Sequence, residues 1–524
     1  MSSFENGWAL TLIVFVPVVG AAAILAIPKA KEEAQKWTAL LFAGVSFILS
    51  VIVAFQFDYG AAADIQFGTR SDLTWIGAIN SNYTIGIDGI SLPMLVLSTF
   101  MTVLAIIYSW NHWPEPHNPK IFSALILVLG TGMAGTFVAL DLILFFVFFE
   151  IVLLPMYFMI GVWGDRNKIR VPVIGLETEM RLYASIKFFL FTLFGSAFML
   201  LGFLTLYFKS GLETFDMAAL SGGGAEAELG KFAVWVFAAL FLGFAVKVPM
   251  FPLHTWLPDA HTAAPTVGSV LLAAILLKLG TYAFVRIAIP IMPEQSQNWA
   301  PVIGILAVIG IIYASFACLA QTDMKRLIAF SSVGHMGFVM LGIATLTDIG
   351  INAAIIGMVA HGVITGLLFF LAGSMGHRYH TRDMARLGGN QKLMPVMGGI
   401  LGFTAMASLG LPGLAGFWGE FLSLLAAFNP LAGLSTTLFR TLMVIGAVGT
   451  VLAAGYMLWM LQKVNFGEPS DEWTDHELHD VDKYEMAAWV PLVVVILAIG
   501  IFPRIVFGAT SDAVTAMVKT VFGG

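Results

Sequence analysis

Runs of about 20 mostly apolar residues follow one another from end to end of this chain, and a run of that length crosses a bilayer as one helix. No other feature limits the fold so strongly. In hydrocarbon every backbone N–H and C=O needs a partner inside the protein, which leaves helices and closed barrels; runs this long are helices. Only 11% of the 524 residues are charged, against roughly 25% in soluble domains, so a water-soluble fold is excluded. The expected fold is an all-α polytopic membrane protein. Fourteen helices are predicted, at 8–27, 37–57, 90–110, 120–140, 141–163, 183–208, 232–257, 263–289, 299–320, 326–346, 350–374, 394–428, 436–462 and 486–507.

The spacers are short. The longest, Phe57–Asp88 and Gly467–Glu485, are loop-sized, and the acidic run Glu468–Glu485 reads as a solvated or partner-facing loop. The first apolar run, Trp8–Ile27, has no basic leader and reads as a retained helix. An even helix count puts both termini on one face. That face gathers seven Lys and Arg residues, the other gathers seventeen, and Lys247 and Lys278 fall inside helices. The richer face is expected to be cytoplasmic and both termini outside, in a bacterial plasma membrane rather than a mitochondrial inner membrane. The net charge of −6 sits in loops and gives no sign of a nucleic-acid partner. A single cysteine, Cys318, excludes a disulfide framework and any cysteine-ligated zinc or iron–sulfur site.

A charge at bilayer centre costs about 2.5–3.5 kcal/mol on insertion scales, so each one needs a reason. Glu150 lies in Phe146–Val152, where no neighbour can hydrogen-bond it; its partner must come from another helix, the bland alternative being a neutral acid on a backbone carbonyl. Lys247 precedes Pro249 and Pro252, which lack N–H groups and must break the seventh helix. Such a break is tolerated only inside protein or beside water. A lysine there can change its proton affinity as a carboxylate approaches or leaves, although a snorkelling lysine is the simpler reading. Lys278 is too deep in the eighth helix to snorkel easily. Glu420 follows the Gly410–Gly416 run, whose small residues permit an unwound turn in the twelfth helix. Two broken helices each carry a charge.

His335 and His361 sit centrally in the tenth and eleventh helices and can pass protons through their two nitrogens. Ser331 and Thr365 share their helical faces as candidate partners. Neutral histidines satisfied across a helix interface are the competing reading, and a haem held between them is a third. Asp141 reads as a helix N-cap. His254, Asp259 and His261 form either a proton mouth or an ordinary polar loop. Lys187 and His361 are 174 residues apart and Lys247 and Glu420 are 173 apart, offsets that fit a duplicated five-helix unit with matching broken helices.

The stretch Lys247-Val248-Pro249-Met250-Phe251-Pro252-Leu253-His254-Thr255-Trp256-Leu257-Pro258-Asp259-Ala260-His261, continued by Ala264–Leu271, resembles the signature of the antiporter-like subunits of respiratory complex I. These are related to the large subunits of multi-subunit cation/proton antiporters. The resemblance runs from the second-helix region to the fourteenth helix. Most of that family carries lysine on the second broken helix; the Glu420 of Gly416-Phe417-Trp418-Gly419-Glu420-Phe421, and an end after the fourteenth helix without a long lateral helix, mark one branch of it. The resemblance implies inverted repeats of helices four to eight and nine to thirteen, hence segments 1–119, 120–289, 290–462 and 463–524. It implies a coupling pair of Glu150 and Lys247, a central proton carrier at Lys278, an exit carboxylate at Glu420, and His335 and His361 on the axis between them. Which lysine stores the proton stays open. It further implies no redox cofactor in this chain, with FMN, iron–sulfur clusters and quinone in other subunits of an NADH:quinone oxidoreductase. The implied partners are other membrane-arm subunits, membrane lipids and protons. Alternatives are a cation/proton antiporter or membrane-bound hydrogenase subunit, or a scaffold that pumps nothing.

Overall fold

The computed structural model describes residues 7–69, 74–171, 175–473 and 477–523. The helices form where the apolar runs predict them. The first to sixth are Trp8–Ala26, Glu32–Gln56, Leu92–Ser109, Pro119–Val138, Leu142–Trp163 and Met180–Lys209. The seventh runs Gly224–Lys247, breaks at the prolines, and resumes as Trp256–Ala263. The eighth to eleventh are Thr266–Ile291, Pro293–Leu319, Met324–Ala344 and Asp348–Tyr379. The twelfth comes as two halves, Pro395–Ser408 and Ala415–Phe428; the thirteenth and fourteenth are Thr436–Val464 and Lys483–Ile501. The eighth, tenth and eleventh are enclosed by the others. Large apolar side chains on the second, sixth, ninth and thirteenth face outward, as lipid or subunit contact requires.

Several features depart from expectation. A fifteenth helix, Arg504–Phe522, follows the fourteenth and packs against the start of the eleventh, where Thr510 donates to Asn352 Oδ1 at 2.6 Å. The fifth helix is interrupted at Val152. Pro155 is the cause: it offers no N–H, and its ring clashes with the carbonyl four residues back, at Ile151. The eighth helix contains two π-wound segments, Leu272–Leu276 and Phe284–Ala288, on either side of Lys278. Short hairpins, Thr74–Ile76 with Ser81–Asn82 and Lys168–Arg170 with Glu177–Glu179, close two loops.

The acidic segment is not a free loop. Glu485, fully buried, takes a two-pronged hydrogen bond from Arg378 at 2.8 and 2.7 Å, and Arg378 also donates to His479 O. Asp480 accepts from Val396 N and Met397 N and so caps the first half of the twelfth helix. Lys392 pairs with Glu468 at 2.5 Å. Glu468, Asp471, Glu472 and Glu477 are exposed as expected, while Glu485 and Asp480 tie the end of the eleventh helix to the broken twelfth.

Candidate functional site: a buried row of ionisable groups

The eighth, tenth, eleventh and twelfth helices bring four of the predicted residues into one row. Lys278 Nζ lies 2.6 Å from His361 Nδ1 and also donates to the Ala273 carbonyl, within the π-wound segment. Local π winding loosens the backbone ladder, and such bulges cluster at functional positions. The His361 and His335 rings are 5.8 Å apart, nearly edge to face. His335 Nδ1 lies 2.8 Å from Glu420 Oε1, and its Nε2 is 3.2 Å from Ser408 Oγ. With Glu420 ionised, His335 Nδ1–H donates to it and Nε2 accepts from the Ser408 hydroxyl. A cavity of about 30 Å³ lies among His335, His361, Thr365, Ser408 and Glu420, large enough for a water molecule.

The histidines' partners differ from those the helical spacing suggested. Ser331 turns back to Ile328 O at 2.8 Å, so the hydroxyl on His335 comes from the twelfth helix, which i, i+4 reasoning does not reach. Thr365 lines the cavity. That cavity is far smaller than the roughly 300–1,000 Å³ of cofactor pockets, and both His335 nitrogens are engaged, so the haem reading does not fit.

The other two predicted charges sit at the first break. Lys247 is the last residue of its helical segment, where a cation favours the helix dipole. Its Nζ is buried, donates no hydrogen bond to any described protein group, and lies 4.7 Å above the Phe149 ring. Glu150 follows Phe149, at the kink that Pro155 causes. The Glu150 carboxylate faces Ser196 on the sixth helix and feels the Lys247 charge, but the two are not in direct ion-pair contact. Gly280 brings the eighth helix against this break: a Cβ there would lie 2.7 Å from Phe244 O and 3.0 Å from Val248 N. Only glycine permits that approach, two residues from Lys278.

Of the suspected mouth residues, Asp259 is a structural tie, paired with Lys187 at 2.7 Å and Arg326 at 3.5 Å. His254 stacks on Phe251. His261 is different. It is fully buried, stacked on Phe369 at 4.4 Å, and neither ring nitrogen has a protein partner. The charges of Lys325 and Lys278 both act on it. Lys325 in turn donates to Ala264 O at 2.5 Å and lines a polar crevice of about 690 Å³ on the basic face. The buried Lys325 was counted as a loop charge in sequence, and no local pattern marks it otherwise. Asp141 is the expected cap, accepting from Ile143 N and Leu144 N. Lys187, placed opposite His361 by the sequence offset, lies in the Asp259 tie and outside the row.

Fold and row together define a polytopic membrane protein whose buried ionisable groups form a row from the eighth helix to the second of two broken helices. Residues 139–452 match the family model described as NADH:quinone oxidoreductase/Mrp antiporter, TM, and residues 21–136 match that of NADH-ubiquinone oxidoreductase chain 4, amino terminus. The chain belongs to the NADH:quinone oxidoreductase/Mrp antiporter family. It is 38% identical to NADH-quinone oxidoreductase subunit M of Rhodobacter capsulatus, with 97% of this chain and 96% of the relative covered. It is 36% identical to NAD(P)H-quinone oxidoreductase chain 4 1 of Nostoc sp., covering 98% and 91%. Among solved structures, a chain of respiratory complex I from Thermus thermophilus superposes with a TM-score of 0.82 at 28% identity, covering 98% of this chain and 99% of that one. A chain of the Mrp complex from Dietzia sp. gives 0.83 at 20% identity, covering 99% of each, which shows a shared fold.

Proposed function

We propose that this chain is the subunit M, or chain 4, member of an NADH:quinone oxidoreductase: a proton-translocating subunit of its membrane arm, beside other membrane-arm subunits. The observation that carries this is the row of contacts from Lys278 through His361 and His335 to Glu420, hydrogen-bonded at both ends and joined by a ring contact in the middle. Lys278 and Glu420 each hold and release a proton, the histidines relay one between their two nitrogens, and the His361–His335 step is a ring contact at 5.8 Å.

Protons enter from the crevice on the basic, cytoplasmic face, pass Lys325 and His261, and reach Lys278. Glu420 is the exit carboxylate, facing the outer side with the termini. Driving force comes from quinone reduction in other subunits, transmitted to the Glu150–Lys247 pair. When Glu150 approaches Lys247, the ammonium is favoured; when it withdraws, the buried lysine gives up its proton toward Lys278. Moving one proton against 100 mV needs about 2.3 kcal/mol. A change of two pKa units supplies about 2.7 kcal/mol, so an electrostatic switch of this kind is adequate. We read the two broken helices as equivalent members of two inverted repeats, with the redox groups elsewhere in the complex and a bacterial plasma membrane as the location.

The test is proton translocation by vesicles bearing the assembled complex. Glu150→Ala and Lys247→Ala are expected to leave NADH oxidation measurable and proton uptake near background. A normal proton-to-NADH ratio in either variant sinks the reading.

A further inference from the structure

Lys278 is about as far from the outer end of the eighth helix as from the inner end, and the row leads sideways to Glu420. A carrier in that position needs something to stop its proton leaving straight outward. The outer half of the same helix carries Tyr282 and Arg286, four and eight residues after Lys278, on one helical face. Arg286 pairs with Asp88, Nη2 to Oδ1 at 2.5 Å, just before the third helix on the outer side. Arg286 Nε donates to the Tyr282 hydroxyl at 3.1 Å, and that hydroxyl donates to Phe137 O at 2.9 Å. Asp88 also accepts from Ile90 N, Ser91 N and the Ser91 hydroxyl.

We infer that Tyr282, Arg286 and Asp88 form a proton barrier beneath Lys278, which forces the proton along the row; the inference rests on the proton-path reading above. Conduction along hydrogen bonds requires groups that accept on one side and donate on the other. Arginine has five donors and no acceptor, and it stays charged. Tyr282 has its proton committed to a carbonyl and its oxygen engaged by Arg286. A fixed cation in a narrow passage also repels protons, as it does in pores that exclude them. Asp88 is no direct stepping stone from Lys278, whose Nζ bonds Ala273 O and His361 Nδ1 and neither Tyr282 nor Arg286. Pinning the third, fourth and eighth helices is a by-product of the same bonds; a merely structural role predicts loss of assembly and no leak.

The assembled complex is reconstituted into liposomes, and passive proton entry is followed with a trapped pH dye under a potassium diffusion potential, without NADH. Arg286→His places a group that both accepts and donates protons in the barrier, and it is expected to raise passive proton flux several-fold and lower the protons moved per NADH. Arg286→Gln combined with Asp88→Asn, which avoids an orphaned carboxylate, is expected to leak as well and serves if the histidine variant fails to assemble. Arg286→Lys keeps the cation and is expected to stay tight. Adding Lys278→Ala to a leaking variant is expected to close the leak. Tight vesicles from both leaking designs overturn the barrier, and so does a leak that survives Lys278→Ala. Undiminished pumping in Lys278→Ala alone counts against the proton path itself, a separate result.

Discussion

The two broken helices hold their charges in opposite ways. At the first, the Lys247 ammonium sits over an aromatic ring and donates no hydrogen bond to the described protein groups, while Glu150 lies beside Ser196. At the second, Glu420 is bonded to His335, and through it to the rest of the row. The causes are local. Two prolines end the seventh helix at Lys247 and leave the lysine facing the fifth helix. The glycine-rich turn in the twelfth lets its second half start at Ala415, which carries Glu420 toward the tenth helix. One break therefore presents a charge without a hydrogen-bonded partner, and the other a charge already matched. On the proposed proton path, an input that switches and an output that holds call for that difference.

Lys278 stands between the two, so removing it gives the largest effect expected. Lys278→Ala deletes the only ionisable group in the eighth helix that touches His361. Proton translocation by the assembled complex should fall to background, measured as dye-reported uptake per NADH oxidised. Translocation at the wild-type ratio would show that the two breaks work without a shared carrier.

Next come the breaks themselves, where the comparison is sharpest. Lys247→Ala and Glu420→Ala should both stop translocation, yet differ in stability. Removing Lys247 orphans no hydrogen-bond partner, whereas removing Glu420 leaves His335 Nδ1 buried without its acceptor, a loss of about 1–3 kcal/mol. Thermal unfolding of the purified complex should shift down for Glu420→Ala only. Equal shifts would mean that the first charge is as firmly held as the second.

The sequence made the helices and the site legible to different depths. Apolar run length alone placed fourteen helices, because hydrocarbon thickness sets that length. A charge in the middle of an apolar run marked Glu150, Lys247, Lys278 and Glu420, whereas the buried Lys325 and Glu485 lie near run ends and carry no such mark. Pro155 stands in the sequence five residues after Glu150, yet the fifth helix, expected to run continuously over 141–163, is interrupted at Val152. Partners across helices were not visible: Ser408 for His335 and Arg378 for Glu485 depend on packing between segments far apart in sequence. The isolation of His261, and the π winding at Leu272–Leu276 that exposes Ala273 to Lys278, have no periodic signature at all.

A smaller effect tests the geometry of the second break without touching a charge. Gly410 has φ +81°, and a Cβ there would lie 3.0 Å from Glu420 Oε2. Gly410→Ala costs about 1–2 kcal/mol in backbone strain. It also pushes the carboxylate off its seat, so translocation should fall partway while NADH oxidation by the complex continues. A fully active variant would indicate that Glu420 does not need its present position.

The smallest effect belongs to a carboxylate that resembles the others only in being buried. Asp141 spends its oxygens on three backbone amides, Ile143 N, Leu144 N and Asn82 N, and on the Ser81 hydroxyl. The amides cannot pass a proton onward, the Ser81 hydroxyl bonds no member of the row, and none of the four belongs to a break. Asp141→Ala should therefore cost about 0.5–2 kcal/mol of stability, as loss of an N-cap does, and leave the proton-to-NADH ratio unchanged. A fallen ratio with intact assembly would extend the path to the start of the fifth helix. Burial alone does not make a carboxylate a carrier; it needs a neighbour able to take the proton.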